Sequence, residues 1–206
     1  MASGLDDRRI PLSVAQQHML RIERQLPDLP KFNLPFAYAL RGPLDTSALA
    51  DSVVELVRRH EALRTHFPGV EGEPIGLVLP AADIACALRV EEIADVPAAS
   101  RKQARALRGR RAELEIEIEA WTAFDLARAP LVRARLLRLG RDEHVLLLIF
   151  HHIVVDGWSI VVLFEELATL YSARATGKDA CLGDATPHFS HFLRWLRQRR
   201  DTAAAV

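Results

Sequence analysis

Residues 144–157 read HVLLLIFHHIVVDG, an almost unbroken apolar run that ends in two histidines, an aspartate and a glycine. A short continuous run of branched and aromatic residues, closed by polar and glycine punctuation, reads as a central strand covered on both faces. His144–His151 is therefore expected to be a core strand, with Gly157–Arg174 the helix that follows it. Before it, Leu131–Leu139 alternates, with Val132, Ala134 and Leu136 set against Arg133, Arg135 and Leu137. That period of two predicts a half-exposed strand, joined to the core strand by a turn at Gly140-Arg141-Asp142. Phe36–Leu40, ahead of the turn signal Gly42-Pro43, is a further strand.

Helices follow from spacing and caps. Leu12–Gln25 reads as a helix with Ser13 at its N-cap. Asp45 or Thr46 caps a second helix to about His60, whose Leu49, Val53, Leu56, Val57 and Leu63 recur at helical spacing. Leu63–Phe67 and Ile75–Leu79 read as strands joined by the Pro68–Pro74 turn, and Leu88–Ile93 as another strand. Ala98–Trp121 is a long helix rich in Ala, Arg, Glu and Leu. Its Arg101–Arg111 half is basic and its Glu113–Glu119 half acidic, a pattern read as a solvated face with intrahelical pairs. Pro187 to about Arg200 is a last helix with an apolar stripe of Phe189, Phe192, Leu193, Trp195 and Leu196. The expected fold class is α/β, an α+β two-layer sandwich of helices on a mixed sheet. It occupies 10–200, between a flexible N-terminus at 1–9 and a disordered tail, or the start of a crossover, at 201–206.

Composition narrows the function. Lys plus Arg equals Asp plus Glu at 27 each, so no overall charge draws the chain to nucleic acid or an anionic membrane. Cys86 and Cys181 lie far apart, without the spacing of a metal site, which suggests a reducing compartment and no structural disulfide. The N-terminus is polar and the longest apolar run, Val145–Phe150, is too short to span a bilayer. A cytoplasmic protein is expected. No GxGxxG or GKT/GKS loop is present to cradle a nucleotide phosphate.

The chemistry centres on the end of the core strand. Four specified residues at this spacing arise by chance only about once in a thousand chains of this length. Neighbouring strand residues point to opposite faces. One histidine can therefore be structural while the other reaches a cavity, and the two cannot easily converge on one metal ion. Asp156 fits two roles, a cap for the following helix or a buried carboxylate that needs a partner. Gly157 permits close backbone approach. The segment Arg59–Phe67 brings Arg59, Glu61 and Arg64 to a helix-to-strand junction, either as surface charges or as partners for such a carboxylate.

These residues carry a resemblance. Arg59–Phe67 is similar at every specified position to the RHExLRTxF motif of condensation domains from nonribosomal peptide synthetases, and Phe150–Ser159 to their HHxxxDGWS motif. Phe124-Asp125-Leu126 with Pro130, Leu131 and Arg133 resembles FDLxxxPLxR, and Phe32–Pro35 the first-strand FNIP region. Ser13-Val14-Ala15-Gln16 resembles the opening SxAQxRLWxL, with His18 in place of Arg and Leu20 in place of Trp. Phe189, Phe192 and Trp195 resemble the aromatic helix that ends the family's first lobe.

The resemblance implies one lobe of a chloramphenicol-acetyltransferase-like fold. In that family two carrier proteins, donor and acceptor, bring thioesters on 4'-phosphopantetheine arms, and the acceptor amine attacks the donor. No cofactor or metal is bound directly. His152 matches the catalytic histidine. His151, Asp156, Gly157 and Arg64 match supporting positions, with Arg64 expected to hold Asp156. Arg59, His60, Glu61, Trp158 and Ser159 complete the motifs. The second lobe, in the same chain or a separate one, is the expected partner, and the lobe alone is expected to be inactive. A non-catalytic carrier-docking lobe and a CoA-dependent acyltransferase of the same fold are the competing readings.

Overall fold

The computed structural model describes residues 8–26, 29–68, 75–93, 98–183 and 188–203. The elements are strand β1 (Arg9–Ile10), helix α1 (Val14–Gln25), β2 (Asn33–Arg41), α2 (Thr46–Arg59), β3 (Thr65–His66), β4 (Gly76–Val78), β5 (Leu88–Glu92), α3 (Arg101–Ala120), β6 (Val132–Gly140), β7 (Glu143–His151), α4 (Gly157–Ala175) and α5 (Phe189–Ala203). A four-stranded mixed sheet runs β2-β7-β6-β5, and a small sheet runs β1-β4-β3. In the larger sheet β7 lies antiparallel to both neighbours, with Asn33 opposite His151 and Val132 opposite Phe150, while β5 pairs with β6 in parallel.

β7 is the core strand that its sequence predicts, with Leu147 and Ile149 fully buried on one face and Leu146, Leu148 and Phe150 buried on the other. The second set joins Leu136, Leu49, Val53, Leu56, Leu163 and Leu167 in the main core, between the sheet and helices α2 and α4. A smaller cluster of Ile93, Ala112 and Leu137 sits under α3 on the opposite face, so the two-layer core carries one further covering helix. β2 is an edge strand, which accommodates Pro35 without breaking a ladder on both sides.

Caps match the sequence reading. Ser13 accepts from the Gln16 backbone N–H while the Gln16 side chain accepts from the Ser13 backbone N–H, a reciprocal capping box. Asp45 caps α2 through Ala48 N–H.

Several elements differ from expectation. Glu61–Arg64 forms a 3-10 turn, so the strand expected from Leu63 shrinks to Thr65–His66. Residues 69–74 of the expected turn lie outside the described residues. Arg9 is paired with Leu77 in a strand, and α5 runs on to Ala203. The largest difference concerns β6. Its second face is covered as well: Arg135 is only 6% exposed and Leu137 is fully buried. The acidic half of α3 supplies the reason. The Arg135 guanidinium meets Glu119 at 3.0 Å, Glu115 at 3.1 Å and also Glu91 from β5. Glu113–Glu119 is therefore in part a face turned to the sheet, because a buried guanidinium requires paired carboxylates.

Candidate active site

The site forms where β7 runs out. The two histidines part company there, as alternation requires. His151 is 2% exposed, set edge-on between the rings of Phe32 and Phe124, each 6.0 Å away. Its Nδ1 accepts the backbone N–H of Ile153 at 3.1 Å, so the ring carries its proton on Nε2, which faces Glu23 Oε1 at 3.4 Å. Burial, with lesser contributions from the charges of His152 and Arg133, pushes His151 down to about 4, and the ring is neutral near pH 7.

His152 turns the other way and is half-buried. Its backbone N–H donates to Phe32 O at 2.8 Å, and its Nδ1 lies 2.8 Å from Val155 O. A carbonyl only accepts, so Nδ1 donates to it, and in the neutral form of the ring Nε2 is the nitrogen that can accept a proton. Among the described residues Nε2 has no hydrogen-bond partner, and His152 lines a cleft of about 360 Å³. Ile10, Ala15, Met19, Ile153 and Phe189 give this cleft its apolar wall, and Glu61 and Asp156 are its only charged residues among those described. A second cleft of about 300 Å³ adjoins it across Glu61, Val155, Asp156 and Ser159, and is rimmed by Trp158 and His188.

Asp156 takes the cap role. Its Oδ1 accepts the Ser159 backbone N–H at 2.7 Å and the Ser159 hydroxyl at 2.6 Å, which caps α4. Those hydrogen bonds hold its carboxyl below the usual range, so it is ionised. The expected Arg64–Asp156 pair is absent among the described residues. The Arg64 guanidinium instead donates to the Leu79 carbonyl, tying the 3-10 turn to the end of β4, and burial pulls Arg64 below its ordinary value. Outside its own helical turn, no atom of the described residues comes within 4 Å of a Cβ built at Gly157, so none of them requires a glycine there. Trp158 is 79% exposed. Arg59 and His60 turn away from His152 and converge on Glu166 of α4, at 3.2 and 2.7 Å, His60 lining the second cleft, while Arg59 also donates to Gly183 O at 2.6 Å.

Sequence reasoning assigned no role to three side chains that build this site. Gln16, part of the opening motif, is buried and donates to Ile153 O at 3.0 Å. Glu166 anchors the Arg59-His60 pair to α4. Glu23 faces His151, and its signal was its place seven residues after Gln16, on the same side of α1. Arg133, known from sequence only as a motif position, places its guanidinium 3.9 Å over the Phe124 ring and donates to the carbonyls of Glu119 and Thr122 at the end of α3. No group of three or more His, Cys, Asp or Glu able to hold a metal occurs among the described residues.

Comparison with known proteins supplies the family. The family model described as the condensation domain matches residues 6–205. The chain is 39% identical over 191 residues to a linear gramicidin synthase of Brevibacillus parabrevis, covering 93% of this chain and 2% of that protein. It is 37% identical over 196 residues to the phosphinothricin tripeptide synthetase PhsC of Streptomyces viridochromogenes, covering 95% of this chain and 17% of that protein. Among solved structures, the starter condensation domain of rhizomide synthetase RzmA superposes with a TM-score of 0.78 at 18% identity, over 93% of this chain and 45% of that one. The first condensation domain of the calcium-dependent antibiotic synthetase, in complex with a substrate analogue, gives 0.77 at 23% identity, over 94% and 44%. The chain thus spans a small fraction of these curated relatives and less than half of these structures.

Proposed function

The chain belongs to the condensation-domain family, and we propose that it acts as the N-terminal lobe of an amide-forming condensation domain in a nonribosomal peptide synthetase. The observation that carries this reading is His152. Its Nδ1 is committed to Val155 O, and its ring borders a cleft whose charged residues are acidic. An attacking amine is a cation before it reacts, so such a cleft favours its arrival.

The reaction has two bonds to change. The acceptor's amine nitrogen attacks the donor thioester carbon, forming C–N and an oxyanion. His152 Nε2 takes the proton that the nitrogen loses as the tetrahedral intermediate forms at the thioester carbon. Collapse breaks C–S, and the proton passes to the departing thiolate. An α-amino group has a pKa near 8, so freeing the amine at pH 7 costs only about 1–1.5 kcal/mol. Holding two tethered reactants together is worth roughly 7 kcal/mol or more in good cases. His152 therefore orients the amine and accepts its proton, while the holding of the two tethered reactants supplies most of the rate.

The tethers are 4'-phosphopantetheine arms of donor and acceptor carrier proteins, and the partner lobe closes the open side of the cleft. Exposed apolar side chains suit a covering lobe: Val14 and Trp158, and the α5 stripe of Phe192 and Trp195. No helix among the described residues is long and apolar enough to cross a membrane. The free cysteines Cys86 and Cys181 suit a cytoplasmic setting. The test offers the complete two-lobe domain two substrate sets: an acyl-carrier donor with an aminoacyl-carrier acceptor, or acyl-CoA with a free amine. Amide on the acceptor carrier, seen by mass spectrometry only with the first set, supports the reading. Turnover confined to acyl-CoA moves the assignment to a CoA-dependent acyltransferase, and carrier binding without product to a docking lobe.

A further inference from the structure

The peptide at Ile153 is held at both of its polar groups. Its N–H goes to His151 Nδ1 at 3.1 Å, and its carbonyl takes the Gln16 side-chain amide at 3.0 Å. Gln16 Oε1 is already used by the Ser13 backbone N–H at 3.0 Å, so the amide is locked with its nitrogen toward the loop. Both braces trace back to α1. Two turns after Gln16, Glu23 brings its carboxylate to the other ring nitrogen of His151 at 3.4 Å, with the Glu23 side chain 13% exposed. Gln16 and Glu23 are seven residues apart, hence on one side of the helix. One face of α1 thus sets the loop that runs from His151 through His152 to Asp156.

The tautomer of His151 connects these contacts. A proton on Nε2 leaves Nδ1 free to accept from Ile153. A proton on Nδ1 sets two donors against each other and undoes the brace. The groups facing the ring are Glu23 from α1, His152 in the loop and Arg133 from β6, with Lys31 acting on Glu23. Of these, Glu23 is the one that accepts a hydrogen bond from Nε2.

We propose that Glu23 is a positioning residue for condensation: it holds His151 in the Nε2–H tautomer and so fixes the loop that presents His152. The inference rests on the reading of His152 as proton acceptor. Nitrogen-15 NMR of the imidazoles in the 206-residue chain reads the tautomer without turnover. The native chain and Glu23→Gln, which keeps an acceptor oxygen, are expected to show His151 as a single Nε2–H species. Glu23→Leu is expected to show mixed tautomers. In the complete domain Glu23→Leu is expected to lower kcat about 10- to 100-fold with KM little changed, the scale of a small misplacement of a catalytic group. Glu23→Gln should retain most of the rate. An Nε2–H signature that survives in Glu23→Leu, or a Glu23→Gln rate as low as that of Glu23→Leu, overturns the proposal. Loss of the His152 reading shows separately, as full activity in His152→Ala, and leaves the nitrogen spectra untouched.

Discussion

Replacing Arg135 with Met gives the sharpest test of how β6 is held. The guanidinium, with its side chain 8% exposed, is shared by Glu91, Glu115 and Glu119, whose side chains are 36%, 13% and 12% exposed. Removing it leaves two nearly buried carboxylates side by side, with only Arg111 still on Glu115 at 3.1 Å and Arg133 on Glu119 at 2.6 Å. Breaking a buried pair from one side costs about 3–5 kcal/mol, and the half-solvated Glu91 with the remaining Arg111 and Arg133 pairs puts this case at the low end, about 3 kcal/mol. For a chain of this size each kcal/mol is worth roughly 2–4 °C, so Tm should fall by about 6–12 °C. The pH dependence carries a sign. In the native chain Arg135 holds the Glu115 carboxyl below its ordinary value. Its stabilisation is present above the unfolded value near 4.3 and is lost as pH falls through the lower folded value. In the variant, burial and mutual repulsion act on the carboxyls without Arg135 to offset them, so the penalty is full at pH 7 and relaxes as acid protonates them. Thermal unfolding followed by circular dichroism at pH 7 and pH 4 measures both. A difference below about 2 °C at pH 7, or one that does not narrow by pH 4, refutes the argument that these carboxylates are buried against β6.

Gly76→Ala should destabilise the chain by about 1–3 kcal/mol and disturb the cleft, because the new Cβ would stand 2.8 Å from Ile10 Cγ1 and 3.1 Å from Thr65 Cγ2; denaturant unfolding measures it. Asp156→Ala should cost about 1 kcal/mol through the lost cap of α4. A double-mutant cycle with Arg64→Ala should then show coupling below about 0.5 kcal/mol, since the two side chains are not in contact. Burial pushes the Cys86 thiol up to about 11, leaving about one thiolate in a thousand at pH 8. A thiol reagent should therefore label exposed Cys181 quickly and Cys86 only on unfolding.

Much of the fold was legible because burial leaves marks in sequence. β7 is covered on both faces, so its apolar run is continuous, and the caps at Ser13 and Asp45 sit where short polar side chains precede periodic helices. β6 misled because Arg133 and Arg135 alternate with Val132, Ala134 and Leu136 as on a solvent face. Only the fold brings Glu115 and Glu119 of α3 over them. The 3-10 turn at Glu61–Arg64 was hidden because its residues carry no turn chemistry of their own. At the site, the divergence of His151 and His152 followed from strand alternation. The partner of Asp156 did not, since a capping serine three residues on satisfies the carboxylate locally and competes with any distant arginine. Glu23, marked only by its place seven residues after Gln16, and Glu166 gain their meaning from the rings set opposite them.

In the proposed mechanism His152 Nε2 takes the amine proton while carriers and lobes position the reactants. Single-turnover condensation by the complete two-lobe domain, with donor and acceptor carriers loaded and saturating, measures this for the native protein and His152→Ala. The variant is expected to stay folded and to slow by about 10²- to 10⁴-fold, the usual contribution of a positioned general base. A variant that condenses within a few-fold of the native rate contradicts it, and leaves positioning as the whole of the catalysis.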